Sequence, residues 1–221
     1  MRRVLPLFAL LLASCIDTGV GLVERPLAVE VVSGTTFDGR DGFDITLDVA
    51  ELAFGPFYLC PAPQAGDLCD LARAESLDTV IIDATESGTR EIGVLQGTSG
   101  TVRSAMWSYG RTWPLTASTP EGPTSLRLVG SASRDDLSVP FDWSIDLDPV
   151  LAGQVLIRAA SSIDADLGAP GTLVVTVDAS TWMDGIDWNA VSEGDDSQAL
   201  RSLRTALTTR AVLPIRYAPA P

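Results

Sequence analysis

Alternation of apolar and polar residues constrains this chain more than any other feature. Residues 43–49 place Phe43, Ile45, Leu47 and Val49 on one side and Asp44, Thr46 and Asp48 on the other. A strand points successive side chains to opposite faces, so this pattern describes a half-buried strand and does not fit a helix. Residues 138–147 repeat it, with Val139, Phe141, Trp143, Ile145 and Leu147 facing one way. The first run slips at Ala50-Glu51 and resumes at Leu52 and Phe54, which predicts a bulge. Further strand-like runs fall at 79–83, 91–95, 101–107, 126–132, 154–159, 172–177 and 211–217. Residues 126–132 and 138–147 flank a turn-rich stretch and read as a hairpin, with Pro140 assigning the second arm to an edge or a non-bonded position.

A three- and four-residue period occurs once at length. Ala199, Leu200, Leu203, Ala206 and Leu207 recur behind Asp195 or Asp196, either of which suits a helix cap. Arg201, Arg204 and Arg210 follow, where positive charge suits the helix dipole. A shorter helical turn is expected within 183–191. The expected fold is mainly β: an antiparallel β-sandwich or open barrel with one C-terminal amphipathic helix.

The first residues read as an address. Met1-Arg2-Arg3 is followed by an apolar run over 4–12 and by Ala13-Ser14-Cys15. A charged start, a short apolar stretch and small residues form a secretory signal, and the run is too short to span a bilayer. The tetrad Leu12-Ala13-Ser14-Cys15 resembles the lipobox of bacterial lipoproteins. The resemblance implies acylation of Cys15, palmitate included, and cleavage just before it. Ile16 rather than Asp follows, which favours the outer membrane over the inner. The expected organisation is a signal peptide over 1–14, a lipidated tether over 15–26 and a single β-rich domain over 27–221.

With Cys15 assigned to lipid, Cys60 and Cys69 remain. An oxidising compartment favours their pairing, and a loop of this length would contribute about 2.7 kcal/mol on the chain-entropy view. A redox pair or thiolate metal site is the alternative, but two Cys without His make a poor metal site. Composition narrows the chemistry further. All 15 basic residues are Arg, and neither Lys nor His occurs. That removes Ser-His-Asp and Cys-His catalysis, imidazole metal ligation, Schiff-base chemistry and Walker-type phosphate loops. The formal net charge of −14 repels nucleic acid.

What remains are candidates of lesser force. Trp107, Tyr109 and Trp113 crowd one short stretch and would make a ligand-binding loop if exposed; the alternative is core-facing rings in a hairpin. Asp164, Asp166, Asp184 and Asp187, with Glu193, Asp195 and Asp196, are the weak candidates for a cation such as Ca²⁺, should their loops meet; otherwise they keep the surface soluble. Asp38, Asp41 and Asp44 sit on a Gly-rich turn, more simply a solvated one. Paired carboxylates could also serve a hydrolase, but no catalytic residue is assigned.

The segments 42–47, 54–60, 130–134, 139–143 and 177–188 together resemble exported lipoproteins of myxobacteria and, more faintly, the methanobactin-associated periplasmic copper-binding family. The resemblance implies a β-rich architecture. Copper prefers imidazole and soft sulfur, so no binding residue is carried over from it. The expected function is a lipid-anchored cell-envelope protein with a binding or structural role, held to the membrane by its acyl chains, with an envelope protein or glycan as partner and no cofactor. A Ca²⁺-dependent carbohydrate-binding or adhesion module and a carboxylate-based hydrolase are the alternatives.

Overall fold

The computed structural model describes residues 20–63, 71–109, 125–147, 158–210 and 213–220. Among these the fold is mainly β. Its strands are β1 (Leu22–Val31), β2 (Thr36–Asp38), β3 (Asp44–Phe54), β4 (Phe57–Cys60), β5 (Ala74–Ser76), β6 (Val80–Asp83) and β7 (Gly88–Thr98), then β8 (Thr101–Ser108), β9 (Leu126–Arg134), β10 (Leu137–Ile145), β11 (Arg158–Asp166), β12 (Gly171–Val177) and β13 (Ile215–Pro219). An eight-stranded sheet runs in the order β11-β8-β4-β5-β7-β1-β12-β13, and its end strands β11 and β13 lie against each other, so the sheet nearly closes. A second, antiparallel sheet has the order β10-β9-β3-β2, with β6 paired to the far half of β3. The helices are α1 (Ala179–Met183), α2 (Trp188–Ser192) and α3 (Asp196–Thr205).

The alternating runs form strands for the reason expected, since each can bury one face. Phe43, Ile45 and Leu47 are at most 1% exposed while Asp44 and Asp48 face solvent. The bulge lies earlier than the sequence suggests. The β3–β9 register shifts between Leu47 and Val49, so Asp48 is the extra residue. Beyond it the phase inverts: Ala50, Leu52 and Phe54 turn inward and Val49 is only half-buried. A single unpaired residue exchanges the two faces of a strand, which is why Val49 leaves the core. The β9–β10 hairpin turns on Asp135-Asp136, with Asp135 at φ 53°, and Pro140 sits on the edge strand β10. Gly130 of β9 lies close against its neighbour β3; a Cβ there would lie 2.0 Å from the Thr46 carbonyl oxygen.

Several features differ from expectation. The tether expected through residue 26 already forms β1 from Leu22, because β7 supplies a long antiparallel partner from Thr98 back to Gly88. Pro26, which lacks an N–H, falls just before the pairing with β12 begins at Leu27. The strand expected over 154–159 is β11, from Arg158 to Asp166; residues 154–157 lie outside the described ones. Last, β1 and β12 run parallel, whereas the other strand pairs among the described residues are antiparallel, apart from an isolated parallel bridge between Gly55 and Tyr109. Parallel neighbours need a long crossover, and everything between Val31 and Gly171 serves as one.

Candidate functional site

The stretch after β12 folds into three short helices, each started by an aspartate. Asp178 accepts from the Ser180 N–H at 3.0 Å, Asp187 from Asn189 and Ala190 at 3.1 and 3.2 Å, and Asp195 from Ser197 at 3.0 Å. The first N–H groups of a helix have no internal partner, and a carboxylate supplies one. The Ser197 hydroxyl and then its N–H hold the Asp195 carboxyl below the usual carboxylate range. Inward, Trp182, Met183, Trp188, Ala199, Leu203 and Leu207 join the core. Outward, the helices leave a groove of about 400 Å³.

One wall of that groove is fixed by its own hydrogen bonds. The Gln198 Oε1 accepts from the Asp187 N–H at 3.0 Å, and its Nε2 donates to the Gly185 carbonyl and the Ser202 hydroxyl, both at 3.0 Å. The Ser202 hydroxyl donates in turn to Gly185 at 2.9 Å. Thr181 and Asp184 line the α1 side, Arg201 the α3 side, and Arg40 closes the groove from the tight turn between β2 and β3. That turn is tied down by Arg134, which donates to the Asp41 carbonyl and to Asn189 Oδ1, each at 3.0 Å, with its guanidinium 4.3 Å from the Phe43 ring centre. Arg201 donates to the Ser197 hydroxyl at 3.2 Å. Among the described residues neither Arg40 nor Arg201 has a carboxylate within 4.0 Å.

The aromatic candidates go elsewhere. Trp107 is fully buried, 6.2 Å from the rings of both Phe54 and Phe57, and Tyr109 is 4% exposed. An exposed binding loop built on these two is therefore corrected to core: β8 lies between β4 and β11, and its apolar face is covered. Trp113 lies outside the described residues. Burial pushes the Tyr109 phenol up to about 12, while the Trp107 indole beside it works the other way. The Tyr109 hydroxyl and the Trp107 N–H interact with each other too loosely for a hydrogen bond of good geometry, and neither has another partner.

Nor do the acidic candidates converge. Asp164 and Asp166 are exposed residues of β11, not of a loop, and the Asp166 carboxylate accepts from the Gly168 N–H at 2.9 Å. Asp187 caps α2, and Asp184 alone of the four lines the groove. Asp38, Asp41 and Asp44 flank the tight turn, with Asp38 opposite Asp44 in the β2–β3 ladder. Among the described residues no three His, Cys, Asp or Glu side chains form a metal-holding group. Cys60 ends β4 and is buried, whereas Cys15 and Cys69 lie outside the described residues. Sequence reasoning passed over Arg40 as an intruder in an acidic turn and Arg201 as a helix-dipole partner. The available signal was that Arg201 has no acidic residue three or four positions away, whereas Arg40, with Asp41 beside it and Asp44 four residues on, gave none.

No family model matches the chain, and no curated protein matches its sequence. Among solved structures it is similar to MbnP from Methylosinus trichosporium, with a TM-score of 0.36 and 11% identity over 74% of this chain and 78% of that one. This is a weak structural likeness.

Proposed function

We propose that the chain is a lipid-anchored protein of the bacterial cell envelope, carried on the outer membrane, whose folded domain has a binding or structural role. The observation that carries this reading is Leu12-Ala13-Ser14-Cys15 at the end of a charged and then apolar start. Two acyl chains on Cys15 would hold the protein firmly, at roughly 0.8 kcal/mol per buried CH₂. The fold is compatible with such an anchor. β1 begins at Leu22, and the seven residues from Cys15 reach at most about 25 Å. Val20 and Leu22, the described apolar side chains nearest Cys15 in the chain, are 51% and 91% exposed, as suits the end of a domain held near lipid. Among the described residues no helix is long and apolar enough to cross a membrane.

Membrane fractionation of cells making the chain and its Cys15→Ala variant tests the reading. The wild type should pellet with outer membrane and leave it only in detergent, whereas the variant should not be processed to an acylated form. Intact mass showing an unmodified Cys15, or recovery of the wild type from the cytosol, would overturn it.

A further inference from the structure

The groove gathers two arginines, Arg40 and Arg201, beside the single carboxylate of Asp184. The chain carries 29 acidic residues against 15 arginines, yet among the described side chains the arginines in ion pairs are Arg127 and Arg216. Arg40 and Arg201 are among the others, and they line one groove, with Arg201 also in the field of Asp195 beyond ion-pair distance. Gln198 and Ser202 are spent on the wall, which leaves the two guanidinia and the carboxylate of Asp184 as the charged groups that can meet a ligand. A guanidinium presents paired donors that match an oxyanion, and two of them suit a dianion.

We propose that this groove binds a small organic phosphate monoester, its oxyanion held between Arg40 and Arg201 and its hydroxylated body against Thr181 and Asp184. A phosphate monoester carries about −1.5 to −2 charges at neutral pH, enough to answer both arginines. The volume of about 400 Å³ falls in the range of small-molecule sites and exceeds what a bare phosphate fills. Asp184 repels a second anionic group and accepts from a hydroxyl, so a single phosphate on a polyol fits better than a polyanion. Among the described residues no aromatic ring lines the groove, so no platform for stacking a base or a sugar face is present. The inference goes beyond the envelope reading and stands on the groove alone: a soluble form of the chain would bind equally well.

Calorimetric titration of the full chain at about 0.15 M salt, where diffuse electrostatics are screened beyond about 8 Å, tests it with three probes. sn-Glycerol 3-phosphate should bind saturably, inorganic phosphate more weakly, and succinate weakest. Arg40→Gln and Arg201→Gln should each weaken glycerol phosphate about tenfold or more, the range expected for a lost charged hydrogen bond. Arg103→Gln, an exposed arginine of β8 outside the groove, should leave binding unchanged. Asp184→Asn should tighten it severalfold by removing the like charge, and this arm remains should either arginine variant fail to fold. Absence of saturation by either phosphate, preference for succinate, or equal losses in Arg103→Gln and the groove variants would each overturn the assignment. Such a failure leaves the fractionation result untouched, so the two readings fall separately.

Discussion

Replacing Tyr109 by Phe should stabilise the protein, and the gain should grow at high pH. The hydroxyl is buried at 4% residue exposure and has no hydrogen bond of good geometry, its one interaction being a loose one with the Trp107 indole, while the ring belongs to the core. A buried polar group without a partner costs about 1–3 kcal/mol, and Phe keeps the ring while removing that group. At pH 7 the variant should therefore gain about 1 kcal/mol or more, equivalent to roughly 2–4 °C in melting midpoint for a domain of this size. The second part follows from the phenol itself. Its pKa rises from 10.0 to about 12 on folding, mainly through desolvation. The unfolded chain loses this proton first, so the contribution is intact below pH 10 and is lost as pH rises through the folded value near 12. By linkage the wild type should lose about 1.4 kcal/mol at pH 11 and about 2.7 kcal/mol well above pH 12, a loss the variant does not share. Urea unfolding of both proteins at pH 7 and pH 11, with the slopes compared, measures both quantities. A variant less stable than wild type by 1 kcal/mol or more at pH 7 would show that the hydroxyl is satisfied and the reasoning wrong. A stability difference independent of pH would refute the burial of the phenol.

Two further outcomes are expected. Gly130→Ala should cost about 3 kcal/mol or more in urea unfolding, because the new Cβ meets the Thr46 carbonyl oxygen at 2.0 Å and the Phe141 ring at 3.0 Å; a loss under about 1 kcal/mol would mean that β3 gives way easily. If Cys60 and Cys69 are paired, thiol labelling after unfolding in urea without reductant should mark neither, and reductant should then expose both. Unfolding is required because Cys60 is buried and would escape label in the native protein whatever its state.

The strands were legible where one face could be buried and the other wetted. Residues 43–49 and 138–147 are of that kind, and Pro140 named its edge correctly. The α3 helix was legible from a cap at Asp195 or Asp196, of which Asp195 serves, and from the spacing of Ala199, Leu200 and Leu203. What escaped depends on partners distant in sequence. Residues 22–26 carry Pro26 and mixed polarity, and only β7 makes a strand of them. Asp164 and Asp166 look like an acidic loop, but their neighbours Ile163, Ala165 and Leu167 are the buried half of an alternation ending β11. The parallel pairing of β1 with β12 has no local signature, since both strands would read the same in either direction.

The candidate site escaped for a related reason. Aromatic rings attract attention as ligand contacts, yet burying one removes about 150–250 Å² of surface from water, more than any other side chain offers. Trp107, Trp143, Trp182 and Trp188 are all drawn into the core on that account, even though each leaves its indole N–H without a hydrogen bond of good geometry. The guanidinium has the opposite balance: withdrawing it from water is costly unless a charge answers it. Arg40 and Arg201 therefore remain at the surface, and the fold decides only where on the surface they stand. Residues that looked chemical from their rings serve volume, while residues that looked like ordinary surface charge are brought from opposite ends of the chain to one groove. The groove is distinguished by where the fold sets two surface arginines together, since arginines without an ion pair are common among the described residues.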